Sequence, residues 1–185
     1  MIAVILEPRI SGMRASRVIR KLGFRRSHRV EARGYSGGIW VLWREELVSV
    51  HFLINHAQFI HMKVCTAWGS FLLTAIYGSP SASNRKYLWQ NLEVLSSTTT
   101  EPWLLAGDFN ATLCTSESTS QRRTPSCSMK EFQNTLLNAG LLDLGYSGPS
   151  YTWQRGRLKK RLDRAISNAT ANKANLYFGP QPPRG

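Results

Sequence analysis

Acid is the scarce charge in this chain. Asp and Glu total 11 against 24 Lys and Arg, a formal charge of +13. Such an imbalance favours a polyanionic partner, most simply nucleic acid, although a merely basic packing protein has the same arithmetic. Cysteine is also sparse. Cys65, Cys114 and Cys127 are odd in number and lack metal-ligand spacing, which points to free thiols in a reducing compartment. No apolar stretch is long enough to span a bilayer. The amino terminus has no basic region before its short apolar run, so it does not read as a signal peptide, and the expected location is intracellular. No internal repeat is present. What the chain does have is 185 residues, 42% apolar, with six Trp. That is enough for one folded domain with a real core.

The most informative stretch is Trp103-Leu104-Leu105-Ala106-Gly107-Asp108-Phe109-Asn110. Its apolar run reads as a buried strand that opens into a loop at a carboxylate and a carboxamide. On an extended backbone Asp108 and Asn110 point the same way and Phe109 points into packing. Two convergent polar groups on a rigid strand end can position a water or a metal-bound oxygen. A strand stopping at an Asx turn, with Asp108 capping the next turn, explains the same four residues.

Ile2 to Leu6 is a β-branched run ending at Glu7-Pro8, a second strand terminus with an acid beside the core. A solvent-facing loop is the commoner fate of such a glutamate. Ser11 precedes a helix expected over residues 12–22, with Ala15, Val18, Ile19 and Leu22 on one face and Gly23 as its stop. Arg14, Arg17 and Lys21 fall on the other face. With Arg20, Arg25, Arg26, Arg29 and Arg33 they form the densest basic run, interrupted only by Glu31, and favour phosphate contact over a simple solvated face. Strands are then expected over residues 28–32, 39–43, 47–54, 59–67 and 71–77, an antiparallel meander. The last ends at Tyr77-Gly78-Ser79-Pro80, where a phenol can meet a phosphate or plug the sheet edge.

A helix capped by Ser83 runs to about Leu95. Residues 114–128, with Arg122 and Arg123, read as a mobile surface loop. Residues 129–139 form a helix stopped by Gly140, followed by a short connector, Leu141 to Leu144. Tyr151-Thr152-Trp153 and Arg161-Leu162-Asp163-Arg164-Ala165-Ile166 flank a basic loop carrying Arg155, Arg157, Lys159 and Lys160. Trp153 reads as a core residue or as a wedge against bases, with the core the expected place. His51, His56 and His61 show no metal spacing. The domain is expected over residues 1–168, with 169–185 an irregular tail.

In this order, a strand ending in Glu7, Tyr77-Gly78-Ser79-Pro80, Gly107-Asp108-Phe109-Asn110, Tyr151-Thr152-Trp153 and Arg161-Leu162-Asp163-Arg164 resemble the endonuclease/exonuclease/phosphatase superfamily. Gly34-Tyr35-Ser36-Gly37-Gly38-Ile39-Trp40 and Leu142-Asp143-Leu144-Gly145-Tyr146-Ser147-Gly148-Pro149 are similar to the apurinic-type endonuclease domain of plant LINE, or non-LTR, retrotransposons. The resemblance implies an α/β fold, a four-layer α/β/β/α sandwich of two packed, mostly antiparallel sheets. It implies a divalent cation, Mg²⁺ or Mn²⁺, with Glu7 as its ligand. Tyr77 and Asn110 are implied on the phosphate, Asp108 as the residue that orients or deprotonates water, and Asp163 as the acid supporting a catalytic histidine. Trp153, Arg155 and Arg161 are implied in the substrate groove, with DNA the expected partner, no membrane or obligate protein partner, and a nuclear location if functional.

The family pattern also has an Asn-bearing strand before the Glu strand and a closing Ser-Asp-His, and an intact element continues into a reverse transcriptase. None of these is in the present sequence, so the expectation is a sandwich lacking its first and its His-bearing final strand, truncated at both ends. The functional expectation is a Mg²⁺-dependent DNA endonuclease with weak or no turnover. The alternatives are a nucleic-acid-binding remnant or, fitting the charge less well, a small-molecule phosphatase.

Overall fold

The computed structural model describes residues 1–32, 37–120 and 124–173. Arg33, the Gly34-Tyr35-Ser36 phrase, Arg122, Arg123 and residues 174–185 lie outside the described residues. The described residues build two large sheets and a two-stranded ribbon. The smaller has β1 (Ile2–Leu6), β2 (Arg26–Val30) and β3 (Ile39–Trp43) in the antiparallel order β1-β3-β2. The larger combines β4 (Ser49–His56), β5 (Phe59–Thr66), β6 (Gly69–Tyr77), β7 (Trp103–Asp108), β8 (Leu141–Asp143) and β11 (Asp163–Asn168), ordered β4-β5-β6-β7-β11-β8. A separate ribbon pairs β9 (Trp153–Arg155) with β10 (Leu158–Lys160).

Strand β3 shows why these are internal layers. All of its first four residues are buried, and they alternate between two cores. Ile39 and Val41 meet Ile60, Met62, Val64, Leu73, Ala75 and Leu104 of the larger sheet. Trp40 and Leu42 face the other way, against Ala15 and Ile19 of helix α1 (Gly12–Lys21). On the far face of the larger sheet, α2 (Ala82–Thr98) and α3 (Cys127–Asn138) contribute Leu88, Trp89, Leu92, Phe132 and Leu136. These pack on Phe59, Ile76, Trp103, Leu105 and Ile166. Burying each such side chain stabilises the fold by about 1.5–3 kcal/mol. The result is the expected α/β/β/α sandwich.

Several boundaries differ from expectation for local reasons. Ser11 occupies the N-cap of α1, but its side chain makes no capping bond. Helix α2 starts after Ser81 and not after Ser83, and runs on to Thr98. Ser126 does cap α3, accepting from Met129 N–H. The 141–144 connector is instead an edge strand, paired with β11. The single meander expected over residues 28–77 is divided: β2 and β3 pair in the smaller sheet, and only β4, β5 and β6 run on as an antiparallel meander in the larger, after which β6 and β7 are parallel because α2 carries the chain back across the sheet. A short helix, α4 (Ala169–Lys173), follows β11. Among the described residues no helix is long and apolar enough to cross a membrane.

Candidate active site

Strand register gathers the distant motifs at one rim. In the parallel β6–β7 pair Tyr77 stands opposite Asp108, and in the antiparallel β7–β11 pair Asp108 stands opposite Asp163. Strand β1 reaches the same rim across the sandwich. A Cβ placed on Gly107 would lie 3.0 Å from Leu6 Cδ1, so Glu7 follows a residue packed against the neighbour of Asp108. The close packing also explains both glycines of the two motifs. A Cβ on Gly107 would stand 2.1 Å from the Ile76 carbonyl oxygen, and one on Gly78 would stand 2.5 Å from that of Phe109. No larger residue fits between strands this near.

Asp108 and Asn110 are arranged by a combination of both sequence readings. The backbone leaves the extended region at Asn110, where φ is 49°, so strand alternation does not bring the pair together. An Asx turn does. Asn110 N–H donates to Asp108 Oδ1 at 2.7 Å, and its side-chain Nδ2 donates to Asp108 Oδ2 at 3.1 Å and to Gly78 O at 2.9 Å. Phe109 is fully buried, as expected. The loop is laced to its neighbours by Gly78 N–H to Asp108 O at 2.7 Å and Phe109 N–H to Leu162 O at 2.9 Å. Thr152, at the centre of the Tyr-Thr-Trp motif, accepts from Leu162 N–H and Asp163 N–H and so fixes where β11 begins.

The rim is short of positive charge. Asp108 is pushed up from 3.8 to about 6, first by burial and then by the nearby charges of Asp163 and Glu7, while the Asn110 N–H and Arg85 act against the rise. Glu7 carries an ion pair with Arg9 at 2.9 Å. Among the described residues, the three non-glycine residues at positive φ are Glu7, Arg9 and Asn110, all on this rim. Backbone strain of this kind costs about 1–3 kcal/mol per residue and concentrates where geometry serves function. Among the described residues no three His, Cys, Asp or Glu side chains stand close enough to hold a metal as a ready-made cluster. The donors at hand are Glu7, Asp108 and the Asn110 carboxamide, all hard oxygens. They suit a cation such as Mg²⁺ that keeps several waters and needs only one or two carboxylates.

Other expected site residues separate into two groups. Trp153 and Arg155 sit on the exposed β9–β10 ribbon, with Trp153 38% exposed and Lys160 Nζ 5.9 Å from its ring centre. The core position expected for Trp153 is therefore incorrect, because β9 pairs only with β10, apart from both sheets, and all three of its residues are exposed. Arg161 is buried, with a side chain only 8% exposed. It donates to Glu117 at 3.0 Å and Asp143 at 2.8 Å, so the substrate contact expected of it is replaced by a structural pairing. Arg164 joins the same carboxylates and also donates to Ala111 O, beside Asn110. The 114–128 segment, expected to be a mobile loop, contains the 3-10 turn Thr115–Glu117 that supplies this buried acid. Tyr77 is 5% exposed and packs within the inter-sheet core, while lining a cavity of about 360 Å³ with Gly37, His56, Gln58 and Tyr87.

Two further residues shape the rim without any sequence signal that singles them out. Arg85 is buried in α2 and has no carboxylate partner among the described residues. Its guanidinium donates to Ser79 O, Pro80 O and Ser128 Oγ, holding the turn that follows Tyr77. Gln58 accepts from Ser79 N–H and donates to Asn84 O, securing that turn from the opposite side. Both hold backbone atoms of a turn, and such partners have no fixed sequence spacing.

Residues 7–183 match the Endonuclease/Exonuclease/phosphatase family. The chain belongs to this family. No curated protein matches the sequence. Among solved structures, this family member is similar to the endonuclease domain of TRAS1, a telomere-specific non-LTR retrotransposon. That match has a TM-score of 0.68 at 20% identity, over 96% of this chain and 76% of the other. It is also similar to the 3′-5′ exonuclease NExo from Neisseria meningitidis, with a TM-score of 0.64 at 19% identity over 90% and 76%. An AP endonuclease from Archaeoglobus fulgidus gives 0.61 at 13% over 90% and 76%. At these identities the likeness concerns the fold.

Proposed function

We propose that the rim formed by Glu7, Tyr77, Asp108, Asn110 and Asp163 hydrolyses phosphodiesters of DNA with a divalent cation, in the manner of a non-LTR retrotransposon endonuclease. The observation that carries the reading is Asp108, a partly buried carboxylate pushed up to about 6 and locked by Asn110 beside two other acids. A base poised near neutrality can take a proton from water without being protonated throughout. Glu7 would hold the cation, Mg²⁺ or Mn²⁺, with Arg9 beside it. Such a cation, when bound, neutralises charge that builds on the phosphate oxygens. Asp108 would orient and deprotonate the attacking water. Asn110 and Tyr77 would steady the phosphate, and the exposed Trp153 and Arg155 would line the groove that holds the strand. The similarity to the TRAS1 domain and the net charge support DNA as the substrate.

A second reading, binding of nucleic acid without turnover, has its own observation. Of the four histidines, His28 stacks on Phe52, His51 is exposed on β4, His61 is buried against Thr74 Oγ1, and His56 lies on the cavity wall. Among the described residues no histidine hydrogen-bonds Asp163, the acid expected to orient one. Nicking of supercoiled plasmid with and without Mg²⁺ decides between the readings. Mg²⁺-dependent nicking that disappears in Asp108→Ala supports hydrolysis at this rim. Nicking that survives in Asp108→Ala refutes the site. Salt-sensitive retardation of DNA with no nicking favours the second reading. Release of phosphate from a soluble inositol phosphate, with DNA untouched, would make the protein a phosphatase.

A further inference from the structure

Helix α1 carries charge that the rim does not use. The centre of its apolar side is occupied, with Ala15 and Ile19 packed on Trp40 and Leu42, while Val18 and Leu22 at the edge are exposed. Its outer side presents Arg14, Arg17, Arg20 and Lys21, followed by Arg25, all exposed. None of these five has an ion pair or side-chain hydrogen bond among the described residues. The two arginines that follow are compensated, Arg26 by Glu45 and Arg29 by Glu31.

Helix stability does not account for the pattern. Arg20 and Lys21 lie in the last turn, where the helix dipole favours cations. Arg14 lies in the first turn, which holds no acid, and there the dipole opposes it. Arg14 and Arg17 are like charges three apart, and Arg17 repels Arg20 and Lys21 at three and four, each a destabilising spacing. Arg14, Arg17 and Lys21 also fall within about 60° of one another around the helix and extend about 10 Å along it. One nucleic-acid strand places about three phosphates in that length.

We infer that the outer face of α1 is a second nucleic-acid contact, a cationic stripe that grips the phosphate backbone without taking part in cleavage. Insertion of α1 into an anionic membrane would need the centre of its apolar face free, and there Ala15 and Ile19 are buried on Trp40 and Leu42, with only Val18 and Leu22 at its edge exposed. The choice of nucleic acid over other polyanions rests on the DNA reading of the rim, but the contact requires no chemistry there.

The test measures binding of a short DNA duplex over a range of salt for the full chain, for R14Q/R17Q/K21Q and for K86Q/K130Q on the opposite helical layer. Each neutralised phosphate contact changes the slope of log affinity against log salt by about 0.9. The expected result is a slope shallower by roughly 2–3 for the α1 triple variant, by about 1 for R17Q alone, and unchanged for the α2/α3 control. Circular dichroism confirms that the variants stay folded. An unchanged slope in the folded triple variant overturns the inference. An equal loss in the control also overturns it, since net charge would then be the cause. Binding of phosphatidylserine vesicles in preference to DNA assigns the stripe to a membrane and likewise overturns it. If the stripe behaves as expected while plasmid is never nicked, the inference stands and the hydrolase reading falls.

Discussion

Two groups of acids in this molecule lie around strand β11 and have opposite surroundings. Glu117 and Asp143 are nearly enclosed and meet two arginines, with side-chain exposures of 10% and 17% against 8% for Arg161 and 0% for Arg164. Burial alone would raise Asp143, but hydrogen bonds from Arg161 and Gly145 N–H, with the charge and hydrogen bond of Arg164, more than offset it and hold its pKa below the usual range. At the rim, Asp108 faces Asp163 and Glu7 and is raised to about 6. Arg161-Leu162-Asp163-Arg164 feeds both groups: its arginines go to the closed cluster and its aspartate to the rim. The pairing of carboxylates with buried arginine builds a strut, whereas at the rim Arg9 pairs with Glu7 alone and Asp108 has no ion pair among the described residues, which leaves charge for a cation to neutralise.

The contrast breaks most severely at the strut. Asp143→Ala leaves two buried guanidiniums short of a counter-charge, and urea unfolding should show a loss of about 3–5 kcal/mol. A loss under 1 kcal/mol would mean that the cluster is not the anchor described. At the rim, Asp108→Ala should lower plasmid nicking by ~10²–10⁴-fold while leaving the fold intact by circular dichroism.

The two groups also respond to pH with opposite sign. Between 3.8 and about 6 the native state holds a proton at Asp108 that the unfolded chain releases, so this group lowers stability as pH rises through that window. Asp143 does the reverse: its stabilisation is present above the ordinary carboxylate range and is lost as pH falls through its lowered pKa. Asp108→Asn should therefore gain thermal stability over the parent as pH rises from acid to neutral, reaching about 1 kcal/mol after allowing for partial exposure. A melting-temperature difference that stays constant with pH would contradict the raised pKa. The smallest effect belongs to the exposed Arg26–Glu45 pair, where Arg26→Gln should cost no more than about 1 kcal/mol and less in high salt.

The strands of the two cores were readable because β3 and β7 are continuous apolar runs, whose successive side chains enter two different cores. The sequence also made Glu7, Tyr77 and Asp108 readable as strand ends, since each closes an apolar run. Arg161 was misplaced for a physical reason: an arginine in a basic stretch looks solvent-facing until the partners that bury it are known, and Glu117 and Asp143 are distant in sequence. Trp153 was misplaced in the opposite sense, because an aromatic residue in a short strand signals a core until that strand is seen to form a separate ribbon. Arg85 and Gln58 gave no signal at all, since they bind turn backbones.

Composition and apolar runs determined by themselves a folded chain of strands and helices with a large positive charge, and motif order supplied its resemblance to a layered α/β family. Only the tertiary structure decided which charges are compensated. Side-chain periodicity is a local property, carried by each strand and helix. The pairing of an acid with a base depends on register between strands far apart in the chain, and register is settled only when the sheets pack.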